Sequence, residues 1–295
     1  MIKKQLGKDI LLTFDEKTGS IELYSDNGTL SSGWLEEAKV KRSSVKSIKV
    51  TEGKVYLPWD STGYYRFNWE SEYFLFGGLT SLRDMDCRGF DTSNVTNMSG
   101  MFYDCENLTN LDLSGFDTSH VTDMSRMFCG CRNLQSINIE NFDTSQVTDM
   151  TAMFSGCGKI PLLDLKHFDT SKTVAMSSMF AYCYNINHLD LRHFNTSAVT
   201  NMTRMFNRCK CLTDLCVSDF DTSRVADTHC MFEGCTSLTD LDLSSFDISN
   251  ISDFQEMFAR CSELKTLRMN ITASSKALTD DVFLGCRNDI QIITG

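Results

Sequence analysis

The sequence predicts an α/β repeat solenoid, with a parallel β-sheet on the concave side, short helices opposite, and a β-rich cap at its N-terminal end. Three observations predict it. Phenylalanine recurs at 90, 116, 142, 168, 194, 220 and 246, always 26 residues apart. Each interval carries the same order of apolar letters, F-D-T-S-x-V-T-x-M-x-x-M-F-x-x-C-x-x-L-x-x-L-x-L-x-x. Residues 1–75 lack that period and read as strands. A fixed period of about 20–50 residues marks a chain built of stacked supersecondary units.

The front half of each unit predicts the helix. In VTDMSRMF the apolar residues Val121, Met124, Met127 and Phe128 fall at i, i+3, i+6 and i+7, one stripe of a short helix. Ser119 or Thr122 would cap it. The back half predicts the strand, because Leu134, Ile137 and Ile139 alternate toward one buried face. One unit cannot bury its apolar face alone, so like residues must meet their copies on neighbouring turns. Before Phe90 only a back half is present, with Phe76, Leu82, Met85 and Cys87 on the ladder positions. After Phe246 the pattern loosens, and Phe283 and Cys286 recover its phase. The solenoid therefore runs over residues 76–295. In the cap, ILLTFDEKTGSIELYS predicts a hairpin around Lys17–Gly19, and VKSIKVTEGKVYLPW further strand. The aromatics Trp34, Trp59, Tyr64, Tyr65, Phe67, Trp69, Tyr73 and Phe74 are expected to cover the open end of the core.

Composition narrows the function classes. The net charge of -11 excludes a nucleic-acid backbone or an anionic membrane as main partner. No apolar run approaches the ~18–20 residues of a membrane span. No G-x-S-x-G, H-E-x-x-H or Walker loop occurs, and residues repeated in every unit serve the scaffold, so no enzymatic activity and no cofactor are expected. The cysteine column from Cys105 to Cys286 reads as small apolar filling at a bend, in reduced form. The D-T-S step reads as turn and cap chemistry rather than a calcium site, which needs 6–8 oxygens and a glycine-supported loop.

FDTSNVTNMSGMF, recurring with C-x-x-L-x-x-L-D-L, resembles the BspA-like leucine-rich-repeat family of bacterial surface proteins, whose repeat also occurs in mycoplasma lipoproteins. The likeness covers residues ~76–286. It implies a leucine-rich-repeat-like fold, extracellular or cell-surface placement, and adhesion to a host or neighbouring-cell protein. The start, MIKKQLGKDILLTFDEKTG, does not read as a signal peptide. An intracellular or delivered effector scaffold is therefore one alternative, and a glycan-binding module is another.

Outward strand positions are free to vary and so carry the recognition. One column runs Asp86, Asp112, Asn138, Asp164, Asp190, Cys216, Asp242, Arg268. Like charges on neighbouring strands repel, so this acidity implies solvent or a partner. Lys166 and Arg192 interrupt it. The expected partner-binding residues are Leu162, Asp164, Lys166, His188, Asp190, Arg192 and His193. His167, His193 and Asp219, alike in position on successive turns, form a weak alternative zinc set.

Overall fold

A computed structural model describes residues 1–58, 75–270 and 280–294. The chain divides into two units, residues 1–146 and 147–295.

The first unit opens with antiparallel strands β1 (Ile2–Leu6), β2 (Ile10–Asp15) and β3 (Ser20–Ser25). The expected hairpin joins β2 to β3, with Gly19 at φ 77° completing the turn. A Cβ on Gly19 would meet the Ser44 carbonyl at 2.6 Å, so only glycine fits there. Helix α1 (Trp34–Ala38) follows. Strands β4 (Ser47–Glu52) and β5 (Val55–Tyr56) then change the direction of pairing. β4 runs parallel to β3 and to β6 (Asp84–Asp86), and β5 runs parallel to β7 (Phe90–Asp91). The antiparallel cap is thus continuous with the parallel ladder through β4. Buried Trp34 packs edge-on against Phe76 and donates from Nε1 to the Leu75 carbonyl at 3.1 Å. The other aromatics expected to cap the core, Trp59, Tyr64, Tyr65, Phe67, Trp69, Tyr73 and Phe74, lie outside the described residues. The unit ends with β8 (Asn110–Asp112) and β9 (Ser136–Asn138), paired in parallel 26 residues apart.

The second unit carries β10 (His188–Asp190), β11 (Asp214–Cys216), β12 (Asp240–Leu243), β13 (Thr266–Met269) and β14 (Gln291–Ile293). The pairs β10–β11, β12–β13 and β13–β14 are all parallel. In one respect the expected ladder fails: residues 161–165 form no strand. On other turns the N–H at this place opens the pairing, as in Thr213 to Asn187 O and Lys265 to Thr239 O. Pro161 has no N–H to give.

The expected helices do not form, and α1 is the single α-helix among the described residues. The V-x-x-M-x-x-M-F segment is a succession of tight turns. In the first unit Met101, Tyr103 and Cys105 donate three residues back, to Met98, Gly100 and Phe102. The intervening Met98, Gly100, Phe102 and Asp104 donate instead to the next turn, at Asp123, Ser125, Met127 and Cys129. This alternation needs a left-handed residue at two places per turn, and a helix tolerates none. In the second unit one place holds Ala152, Ser178, Arg204, Cys230 and Glu256, and the other Gly156, Tyr182, Arg208, Gly234 and Arg260, all at positive φ. The apolar stripe survives because the same side chains point inward from turns as from a helix.

The core is made of columns of like side chains. The second phenylalanine stacks at centroid spacings of 5.4–6.0 Å from Phe154 through Phe180, Phe206, Phe232 and Phe258 to Phe283. Such spacings lie within the favourable range for aromatic pairs. The ladder cysteines are free thiols, buried except for half-buried Cys286, and within each unit they donate to the phenylalanine carbonyl of the turn before. Cys183 Sγ lies 3.2 Å from Phe154 O, and Cys209 Sγ 3.1 Å from Phe180 O. Burial pushes the Cys105 thiol up to about 12. The terminal turn keeps the pattern, with Cys286 Sγ 2.9 Å from Phe258 O.

The D-T-S step divides its labour. Buried Thr196 accepts from Asp221 N at 2.8 Å and donates to Asp221 O at 2.9 Å. Thr92 and Thr118 do the same for Asp117 and Asp143 in the first unit. The aspartate instead turns its carboxylate on its own chain, Asp221 Oδ1 accepting from Ser223 N at 2.9 Å.

Candidate functional site

Alternation along the strands puts His188 and Asp190 outward while Leu189 is buried, and Asp214 and Cys216 follow on the neighbouring strand. His188 Nδ1 meets Asp214 Oδ2 at 2.7 Å across the sheet, with both side chains largely exposed. Leu162, at the matching place one turn earlier, is 63% exposed.

The acidic column is absorbed into the backbone. Asp112 accepts from Ser114 N at 3.1 Å, Asp190 from Arg192 N at 3.2 Å and Asp242 from Ser244 N at 3.0 Å. Each carboxylate thereby fixes the bend that follows its strand. The Arg192 side chain grips Asp190 with two further bonds of 2.9 and 2.6 Å, and this holds the Asp190 carboxyl far below the usual range. Lys166 pairs with Asp164 at 2.7 Å, as Arg88 does with Asp86 at 2.6 Å. The cations expected to interrupt the acidity therefore neutralise the aspartate two residues before them. Such exposed pairs contribute little to stability, but they set what the face presents.

His193 is exposed but lies along its neighbours, with Nε2 2.8 Å from Leu165 O and its ring edge-on to Phe194. His167 packs edge-on against Phe168, and Asp219 accepts from Ser218 Oγ at 3.2 Å. Among the described residues His167, His193 and Asp219 do not gather as a ligand cluster. The group that does is Cys230, Glu233 and Glu256, whose ligand atoms lie within 4.8 Å of one another.

Sequence reasoning missed two groups on the turn side. The first is that cluster, with Asn207 and His229 beside it. The second is an exposed aromatic pair, Tyr182 and Tyr184, edge-to-face at 6.2 Å. Arg208 lies over Tyr182 at 5.6 Å and Lys210 over Tyr184 at 5.1 Å. The available signal was departure from the repeat. After the second phenylalanine most turns carry Cys129, Ser155, Ala181 or Ala259, whereas Asn207 and Glu233 stand at that place here.

These features define a parallel-strand repeat protein whose turns are fixed by backbone rungs and side-chain columns. The chain belongs to the family described as Mycoplasma protein of unknown function, DUF285, whose profile matches residues 71–189 and 175–294. Comparison with curated proteins gives no match. Among solved structures, it is similar to a leucine-rich repeat protein from Eubacterium ventriosum ATCC 27560, at 13% identity over 97% of this chain and 95% of that one, with a TM-score of 0.35. It is also similar to a leucine-rich repeat protein from Bacteroides ovatus ATCC 8483, at 14% identity over 98% and 100% with a TM-score of 0.26. A third is the T. pallidum leucine-rich repeat protein, at 15% identity over 80% and 91% with a TM-score of 0.32.

Proposed function

We propose that this chain is a non-catalytic recognition module of the BspA-like kind, binding a protein partner at the bacterial cell surface through the outward face of its strands. The observation that carries the reading is the contrast between columns. Inward and turn positions repeat because each meets its own copy, while outward positions change from Leu162, on the turn without a strand, to His188 and Asp214 on the strands that follow. Leu162 gives that face an exposed apolar anchor, and the tethered Lys166 and Arg192 frame it with groups already held in place. A rigid surface loses little entropy on binding.

The test is binding of the full chain to a panel of immobilised extracellular and cell-surface proteins. Leu162→Asp and Arg192→Glu variants should each weaken a specific interaction at least ~10-fold, since anchor residues at interfaces carry about 2 kcal/mol or more. Binding that both variants retain would place recognition elsewhere. A second reading, glycan binding, draws on the Tyr182–Tyr184 pair with its two cations. In that case Tyr184→Ala abolishes a glycan-array signal while Leu162→Asp leaves it intact.

A further inference from the structure

Cys230, Glu233 and Glu256 meet at the turn side of the second unit, on two successive turns. Cys230 occupies one of the left-handed positions, at φ 54°, so its side chain leaves the backbone in a direction that a right-handed residue would not give. Glu256 holds the same position one turn on, at φ 55°, and Cys230 Sγ lies 3.8 Å from its Oε2. His229 Nε2 lies 3.3 Å from the same sulfur and 3.3 Å from Arg204 Nη2, so it faces a guanidinium. A tetrahedral zinc ion, with Zn–S of about 2.3 Å and Zn–N or Zn–O of about 2.0 Å, sets its sulfur about 3.5 Å from each other ligand atom. The Cys230–Glu256 separation of 3.8 Å lies close to that value.

Glu233 is buried and charged. Burial pushes its carboxyl up, but Asn207, Arg208 and Arg260 together more than offset this and hold it below the usual value. Arg260 and Arg208 engage Oε1, and Asn207 Nδ2 donates to Oε2 at 2.8 Å. A carboxylate has about four lone-pair sites, so Glu233 keeps one for a cation while its neighbours fix its orientation. A separate observation concerns unmet polar atoms. Among the described residues the buried side-chain atoms without a hydrogen-bond partner are Thr203 Oγ1, Asn207 Oδ1 and His229 Nδ1. All three lie on the cluster's own turn or the preceding one. Asn207 is 1% exposed, and its amide is already bonded to Glu233 and to the Cys230 carbonyl. A buried oxygen left without a partner, on an amide whose nitrogen meets the Glu233 carboxylate, is the kind of group that a bound ion or its water satisfies.

We propose that Cys230, Glu233 and Glu256 form a binding site for a zinc-class divalent cation, with water completing its coordination. The thiol selects a borderline-soft ion over calcium or magnesium. Binding forms the sulfur–metal bond and releases the Cys230 thiol proton to solvent. One thiolate and two carboxylates leave a single negative charge after a divalent ion binds, and Arg208 and Arg260 both face it.

The full chain, stripped with chelator and kept reduced, is titrated with zinc against a chromophoric chelator and separately with cobalt(II). One equivalent should bind, with affinity rising with pH. The cobalt form should show a near-ultraviolet thiolate charge-transfer band. Cys230→Ser should remove the band, and Glu256→Gln should weaken zinc binding about 10-fold or more. Cys216→Ser, an outward strand thiol, should change neither. Glu256 is half-buried, so its variant tests the site even if Cys230→Ser fails to fold. Absence of stoichiometric binding overturns the proposal, as does binding that Glu256→Gln leaves unchanged.

Discussion

Replacing Thr196 with valine tests the rung that ties one turn to the next. Valine keeps the volume of threonine and removes only the hydroxyl. That hydroxyl accepts from Asp221 N at 2.8 Å and donates to Asp221 O at 2.9 Å. Each bond contributes about 0.5–1.5 kcal/mol net, and a stranded buried partner costs about 1–3 kcal/mol. The Asp221 backbone is only partly buried, so water relieves part of that penalty, and the expected loss is about 2–3 kcal/mol. Thr196→Ser keeps both bonds and loses one buried methyl, a cost of about 1 kcal/mol. Urea unfolding of the full chain, with midpoint and slope compared, measures the difference. Hydrogen exchange at the Asp221 amide supplies a local readout, which should accelerate in the valine variant and stay slow in the serine one. If valine costs no more than serine and the Asp221 amide stays protected in both, the rung contributes nothing and the argument is wrong.

Two further outcomes follow from other groups. In the folded chain a thiol reagent should label exposed Cys211 first and half-buried Cys129 and Cys216 next, leaving Cys131, Cys209 and Cys235 until urea is added. Burial holds those last three thiols well above their ordinary pKa. Their prompt labelling at pH 8 would contradict the buried column. Acid should destabilise the fold through its turn aspartates. The Asp86 carboxyl is drawn down to about 2 by Arg88, Asp112 is lowered by Ser114 N, and Asp221 by the Ser223 hydroxyl and N–H. Groups depressed in the folded state contribute stability above their unfolded value of about 3.9, and lose it as pH falls through the folded value. The urea midpoint should hold from pH 7 to about 5 and drop toward pH 2. An equal midpoint at pH 7 and pH 2.5 would refute the role assigned to these carboxylates.

The parts of the fold legible in the sequence are those in which a residue meets its own copy. Phenylalanine, methionine, cysteine and leucine recur because stacking selects one residue type per column. The local backbone was hidden for a related reason. Val121, Met124, Met127 and Phe128 have helical spacing, yet Arg126 between them sits at φ 55°. Its counterparts are Gly100, Ala152, Ser178, Arg204, Cys230 and Glu256. Inter-turn hydrogen bonds enforce the left-handed conformation without requiring glycine, so no glycine period announced it. Asp117 and Thr118 look alike as capping residues, and only geometry separates the self-directed carboxylate from the buried hydroxyl that reaches across. At the candidate recognition face, position was readable and pairing was not. His193 shares a repeat position with His167, but its ring bonds to Leu165 O, a contact 28 residues back. The turn-side cluster was visible only as broken consensus, because the chemistry of Asn207 and Glu233 depends on neighbours that sequence order separates.

The threonine rung also constrains how such an array changes in length over generations. In the second unit Thr170, Thr196 and Thr222 each reach the backbone of the next coil, 25 residues on. Loss or gain of one residue inside a coil would slide every hydroxyl, phenylalanine and cysteine off its mate at once. Loss or gain of a whole 26-residue segment would leave each survivor facing the same kind of neighbour. Recombination between near-identical coils makes changes of that second size, so the array can lengthen or shorten by a complete coil while its hydrogen-bond pattern is inherited intact.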